Sequence, residues 1–185
     1  GLTTFFIEQK IDTGKIIFTE KTPIKANETA GQLHDRLMEI GAKLVLKTVK
    51  AIETGHYPQI EQPTNSELKE APKIYKDTCH IDWNNNCATL YNFIRGLSPY
   101  PAAFTYCDNL KLKIFATEKI IEMHAHQAGK SISDGKTYWH ITTKNGYLNL
   151  KDVQIQGRKR MDVVAFLRGY RGDLNISQLP NKESV

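Results

Sequence analysis

Ala102-Ala-Phe-Thr-Tyr-Cys107, Asp108-Asn109 and Leu110-Lys-Leu-Lys-Ile-Phe-Ala-Thr-Glu118 together decide the fold. Two runs rich in β-branched, aromatic and aliphatic residues flank an Asp-Asn pair, a dipeptide that tolerates the left-handed backbone of a two-residue hairpin turn. Within the second run, Leu110, Leu112 and Ile114 alternate with Lys111 and Lys113. A period of two puts the aliphatics on one face of a strand and both lysines on the other. Working outward, further strands are expected over Ile120–His126, Gly129–Ile132, Tyr138–Thr143 and Tyr147–Ile155, the last two separated by Lys144-Asn145-Gly146. Several short strands with turn chemistry between them predict a small barrel of the OB type. Asn86 can cap a short helix through Leu90, Tyr91 and Ile94 that ends at Gly96, and Asp162 a last one through Phe166 to Arg168. Residues 174–185 lack pattern and read as a loose tail.

The first part of the chain follows a different grammar. Residues 1–9 read as a strand, Ile11-Asp12-Thr13-Gly14 as a turn and Lys15 to Ile24 as a second strand. Thr29 followed by Gln32 is a capping-box pattern, and Leu33, Leu37, Ile40 and Leu44 repeat at helical spacing until Gly55 stops the helix. Two strands are too few to bury such a helix, so residues 1–55 are expected to be the end of a larger α/β domain. The opening at Gly1 rather than a Met fits a piece of a longer protein. Residues 56–78, punctuated by Pro58, Pro63 and Pro72, read as a linker, and residues 79–173 as the second domain.

Of the 185 residues, 40% are hydrophobic and 24% charged, and the mean hydropathy is -0.45. No apolar run approaches the ~20 residues of a membrane-spanning helix, and no basic-then-apolar leader opens the chain. Cys79, Cys87 and Cys107 have no C-x-x-C spacing, which disfavours a disulfide framework or structural zinc and fits a reducing cytoplasm. The net charge of +5 is unevenly placed: residues 1–78 hold 11 basic and 11 acidic side chains, so the whole excess lies beyond them. A cationic second domain suits a polyanion, because its side chains displace counterions from phosphates.

Asp12 is the first candidate site residue. A carboxylate in a strand-to-strand turn can orient a histidine or a water, or simply bond to its own backbone. The Asp-Thr-Gly triplet does not mark an aspartic protease, since only one copy is present and Lys15 follows it. His124 and His126, one residue apart on an expected strand, would share a face, but no third metal ligand stands close in sequence. The alternation in Tyr138-Trp139-His140-Ile141 turns Trp139 and Ile141 inward and Tyr138 and His140 outward. Gly157-Arg158-Lys159-Arg160 concentrates cations in an expected loop. A barrel with outward lysines, tyrosines and a basic loop has the makings of a surface that follows a nucleic-acid backbone.

Four segments, taken in order, resemble the methionyl-tRNA formyltransferase family. Gly1 through Ile11-Asp12-Thr13-Gly14-Lys15-Ile16-Ile17 is similar to the segment carrying its last catalytic residue. Lys73-Ile-Tyr-Lys76 to Ile81-Asp82-Trp83 resembles its interdomain connector. Arg95-Gly96-Leu97-Ser98-Pro99-Tyr100-Pro101 resembles its Arg-x-x-x-Pro-Trp-Pro motif, with Tyr100 in place of Trp, and Gly157 through Tyr170 its C-terminal signature. The resemblance implies the last strands and helix of a Rossmann-like formyltransferase domain, joined to an OB-like domain that binds tRNA. It implies a monomeric enzyme that moves the formyl group of 10-formyltetrahydrofolate to the amino group of methionyl initiator tRNA, without a metal. Asp12 would be catalytic, and Lys10, Ile11 and Asp12 would border the folate. Lys73, Lys76, Lys111, Lys113, Arg158, Lys159 and Arg160 would contact tRNA. The amine attacks the formyl carbon to form a tetrahedral oxyanion, managed by a histidine and an asparagine of an Asn-x-His motif. No such motif precedes Asp12 in this chain, so the resemblance implies that the 185 residues alone are inactive.

Two other readings remain open on the residues. A related formyltransferase acting on a nucleotide-linked amino sugar shares both domains, whereas the basic signature at 157–170 favours tRNA. A freestanding oligonucleotide-binding barrel would leave residues 1–55 dispensable.

Overall fold

The structure, a computed structural model, describes residues 1–11, 13–63 and 71–177. The chain divides into two compact units, Gly1–Pro72 and Lys73–Val185.

In the first unit, β1 (Leu2–Phe5) and β2 (Ile16–Glu20) pair antiparallel, with Leu2 opposite Glu20 and Phe5 opposite Ile16. Both are shorter than the sequence suggests. Helix α1 (Ala30–Glu53) follows, opened by the full capping box of Thr29 and Gln32. At its end Gly55 adopts φ +71, a left-handed conformation that glycine takes without a Cβ penalty. The helix rests on the hairpin through buried Leu44 and Thr48, whose Oγ1 lies 3.0 Å from that of Thr4. Ile60, within the expected linker, pairs with Ile16 through backbone bonds of 2.7 and 2.9 Å and so extends the hairpin. On another stripe of α1, Met38, Val45, Val49 and Ile52 are exposed at helical spacing.

Arg36 ties the entry to this helix. It donates to both carboxylate oxygens of Glu28 (2.7–3.1 Å), to the Pro23 carbonyl (2.8 Å) and to Thr22. The guanidinium holds the Glu28 carboxyl below the ordinary glutamate range, against the opposing effect of burial. A depressed carboxyl contributes stability that is fully present above its unfolded pKa and lost as pH falls through the folded one. Replacing Arg36 with Met is therefore expected to lower the thermal midpoint of the unit by several degrees at neutral pH. The gap to the parent should close as pH falls through the glutamate range and below, as followed by circular dichroism.

The second unit is a mostly antiparallel sheet curled into a nearly closed barrel. It comprises β3 (Ala103–Cys107), β4 (Leu110–Ile120), β5 (Ser131–Ser133), β6 (Trp139–Thr143), β7 (Gly146–Ile155), β8 (Met161–Asp162) and β9 (Ile176–Ser177). Their order is β5-β6-β7-β4-β3-β9, with β8 on β7. Helices α2 (Cys87–Leu97) and α3 (Val163–Gly169) are capped by Asn86 and Asp162 and close the core, in which Trp139 stacks on Phe166 at 5.4 Å. Leu112, Ile114, Ile141, Leu148, Leu150, Val153 and Ile155 fill its interior. Asp108 and Asn109 have φ of 47° and 66°, the positive pair a tight hairpin turn requires.

Two expectations need correction. Residues 120–126 do not form a strand: β4 ends at Ile120 opposite Tyr147, because its partner β7 turns into β6 at Gly146 and offers nothing further to pair with. His124 and His126 therefore sit on a loop. The start of the expected tail is also ordered, since Ile176 and Ser177 pair with Cys107 and Tyr106. Asp77–Cys79, at the junction of the expected linker and second domain, forms a 3-10 turn.

The Asp108 carboxylate organises that returning segment. It accepts hydrogen bonds from the Tyr170 hydroxyl (2.7 Å) and from the backbone N–H groups of Leu174 (3.1 Å) and Asn175 (2.9 Å). Asp108→Ala would leave three donors short of a partner in a part-buried site. A loss of about 2–3 kcal/mol in denaturant unfolding is expected, with faster amide exchange at residues 174–177.

Candidate nucleic-acid interface

Pairing of β3 with β4 sets Phe104 opposite Lys113 and Tyr106 opposite Lys111, and β7 brings Gln154 opposite Lys113. These five side chains share the outer face of the barrel, because Leu112, Ile114 and Ile155 between them point into the core. Lys111 lies along the Phe104 ring with Nζ 3.5 Å from its centroid. Phe104 and Tyr106 meet edge to face at 5.9 Å, and the His80 ring leans on both, 5.1 Å from the first and 6.0 Å from the second. The backbone around Lys111 is fixed by Gln156, whose N–H donates to its carbonyl (2.8 Å) and whose Oε1 accepts from its N–H (3.3 Å).

Beside these rings is a hollow of about 240 Å³, lined by Lys111, Lys113, Gln154, Ile155, Gln156 and Gly157. Burial lowers the Lys111 pKa, and the neighbouring charges of Lys113 and Lys76 lower it further; Asp77 opposes them only weakly. Lys113 and Lys76 thus repel the Lys111 ammonium, and Lys111 and Lys113 line the same concave surface. An anion seated there relieves that repulsion, and the amides of Gln154 and Gln156 can donate to its oxygens.

The remaining cations are distributed unequally. Lys73 is exposed, its Nζ 5.6 Å from the Tyr75 ring. Arg158 donates to the Gly169 carbonyl (3.0 Å) from an exposed position, next to exposed Lys159. Arg160 is different: it grips both oxygens of Asp152 with Nε (3.0 and 2.9 Å) and lies over Phe115 at 4.1 Å. Its charge is matched within the fold, so among the described residues the basic loop offers two cations not held by a carboxylate where the sequence suggested three.

At the hairpin of the first unit, Lys10 and Ile11 are exposed and the Lys10 carbonyl accepts from Thr13 Oγ1 at 2.8 Å. Asp12 lies outside the described residues. Gly14 follows under tight constraint: a Cβ there would stand 1.6 Å from the Phe6 carbonyl oxygen. The sequence reading missed His80, Phe104, Tyr106, Gln154 and Gln156. Along β3 Ala103, Phe104, Thr105 and Cys107 are all buried and only Tyr106 is partly exposed, so alternation did not mark these rings. No helix among the described residues is long and apolar enough to cross a membrane.

A family model for the formyl transferase C-terminal domain matches residues 73–171, the barrel that carries this surface. The chain belongs to the formyltransferase family. A methionyl-tRNA formyltransferase of Phocaeicola vulgatus is 45% identical over 180 residues, covering 92% of this chain and 56% of that protein. One from Flavobacterium johnsoniae is 44% identical over 173 residues, covering 91% and 55%. The chain thus spans about half the length of the curated relatives it matches. Among solved structures, HypX from Aquifex aeolicus in complex with tetrahydrofolic acid superposes with a TM-score of 0.65 at 16% identity, over 89% of this chain and 29% of that one. WlaRD, a sugar 3N-formyl transferase, gives 0.61 at 20% identity, over 85% and 55%. At such identities these two establish a shared formyltransferase fold.

The crowding of cations is open to direct measurement. In Lys113→Ala, the Lys111 ammonium should titrate at a higher pH than in the parent, read by NMR of its side-chain carbon. An unchanged titration would mean that the two groups do not share the hollow.

Proposed function

We propose that the chain is the C-terminal part of a methionyl-tRNA formyltransferase, which transfers the formyl group of 10-formyltetrahydrofolate to methionyl initiator tRNA in the cytoplasm. In this reading the barrel grips the tRNA, and the first unit is the end of a Rossmann-like catalytic domain. The observation that carries the tRNA assignment is the convergence of Lys76, Lys111 and Lys113 beside the Phe104–Tyr106–His80 rings. Cations that follow a phosphate backbone beside aromatic side chains are a usual means of holding RNA without reading its sequence; here Tyr106 and His80 are partly exposed and Phe104 is buried with Lys111 over its ring. The curated relatives, whose name states a tRNA substrate, support the same choice. A nucleotide-linked sugar, the alternative suggested by the WlaRD fold, does not call for a cationic surface reaching from Lys73 to Lys159.

Within this proposal Lys73, Lys76, Lys111, Lys113, Arg158 and Lys159 meet tRNA phosphates, while Arg160 braces β8 against Asp152. Asp12 orients the reacting groups, and Lys10 and Ile11 border the folate. The side chains of Lys10 and Ile11 are exposed, so the described part of this turn offers one edge of a folate site rather than an enclosure. The exposed stripe of Met38, Val45, Val49 and Ile52 is what a helix shows when its hairpin covers one side and further layers of an α/β domain belong on another. Formyl transfer therefore requires groups supplied from outside these residues.

Binding of initiator tRNA to the 185-residue chain, followed by fluorescence anisotropy, should weaken steeply with salt. Lys111→Ala/Lys113→Ala should reduce the log–log salt slope by roughly 2, about one for each phosphate no longer neutralised. An unchanged slope would remove the assignment of this face. In a formyl-transfer assay with both substrates the purified chain should show no turnover; measured turnover would overturn the reading of an incomplete active site.

A further inference from the structure

The outer face of β6 and β7 and the loop beyond β4 carry a second aromatic feature that the basic hollow does not use. Five rings follow one another: His126 to His124 at 5.8 Å, His124 to Tyr147 at 4.6 Å, Tyr147 to His140 at 6.1 Å and His140 to Tyr138 at 4.7 Å. His126 is exposed and the other four are partly exposed. The register explains the middle of the row: His140 stands opposite Asn149 and Tyr147 opposite Thr142, while Trp139, Ile141 and Leu148 take the inward positions.

Hydrogen bonding fixes the orientation of His124. Its Nδ1 accepts from the backbone N–H of His126 (3.2 Å) and its Nε2 donates to the Gly146 carbonyl (3.0 Å). His126 Nδ1 lies 3.4 Å from the Lys130 ammonium, which can only donate. Burial and the charge of Lys151 hold His140 toward its neutral form. Exposed Lys130 and Lys151 lie near His126 and His140, and exposed Lys136 and Lys144 sit in the turns on either side of β6. Of the acidic groups nearby, Glu118 is bonded to Lys151 (3.1 Å) and Asn149 (3.2 Å), and Asp134 accepts from Lys136, Thr137 and Tyr138 in its own turn.

We infer that this row of rings flanked by lysines is a stacking platform for unpaired nucleotides, a second RNA contact separate from the basic hollow. Every base has a π face, so stacking on such rings is sequence-tolerant, and the lysines would follow the backbone. From Tyr147 to Gln154 along β7 is about 23 Å at the usual rise of a strand, so the two surfaces can engage different stretches of one RNA. The inference goes beyond the tRNA reading and does not require it, since an unpaired segment of any RNA has the same chemistry.

The test uses the 185-residue chain with a fluorescein-labelled 12-mer of oligouridylate, and in parallel a folded tRNA. Tyr138→Ala/His140→Ala is expected to weaken oligouridylate binding about tenfold, the usual cost of removing one stacked base, with an unaltered salt slope. Tyr138→Phe/His140→Phe keeps two aromatic faces and should bind within about twofold of the parent on the same scale. Lys111→Ala/Lys113→Ala should lower the tRNA salt slope and leave the effect of the ring substitutions on oligouridylate in place, which separates the two surfaces. The inference is overturned if the parent does not bind oligouridylate, if the alanine variant binds it as the parent does, or if the phenylalanine variant loses as much as the alanine one. A lower thermal midpoint with unchanged affinity would show that the rings only brace the loop at Gly146.

Discussion

Antiparallel pairing of β4 with β7 puts Leu112 opposite Ile155, Ile114 opposite Val153 and Lys113 opposite Gln154. A slip of one residue would turn every one of these side chains to the other face of the sheet. Lys111 and Lys113 would then enter the core, and aliphatics each worth about 1.5–3 kcal/mol in burial would face water. The hydrophobic effect that stabilises the barrel is thus what holds the cations outside and in line. An irregularity at Phe115, where the pairing shifts between Ile114 and Ala116 and again before Thr117, bends the strand without losing that register on either side. Arg160, anchored on Asp152, covers the Phe115 ring.

Much of this was legible wherever a local rule and the tertiary fold agree. The Asp108-Asn109 turn, the Thr29–Gln32 capping box, the Asn86 and Asp162 caps and the inward Trp139 and Ile141 follow from backbone chemistry acting over a few residues. The misreadings share one cause. Ile120–His126 has strand composition, but whether a strand continues depends on a partner, and β7 turns away at Gly146. Ile176 and Ser177 look patternless because the Asp108 carboxylate, 67 residues before Asn175 in sequence, holds the chain that precedes them. Nothing local announces such pairings.

The site was readable by its charges and not by its rings. Lys111 and Lys113 declare themselves through alternation with leucines, and Lys76 through the basic end of the connector. That Lys111 and Lys113 line one hollow, with the charge of Lys76 acting on Lys111, is a property of the fold. His80 reaches Phe104 and Tyr106 because residue 80 bridges residue 104 in parallel, a pairing across 24 positions. Arg160 illustrates the opposite error, since composition counts it as a free cation while Asp152 neutralises it. The histidines at 124 and 126 looked like a weak metal pair, and the structure stacks them on each other, with His124 against Tyr147.

The core buries the aliphatics of this unit and leaves its lysines outside, so under the proposed function the polyanion sits on the outer face of β3, β4 and β7. The most direct measurement is an amide chemical-shift map of the labelled chain titrated with initiator tRNA. The account predicts that the largest changes fall on Lys76, His80, Tyr106, Lys111, Lys113, Gln154 and Gln156. Changes confined to α2 and the first unit, with that face left unperturbed, would contradict it.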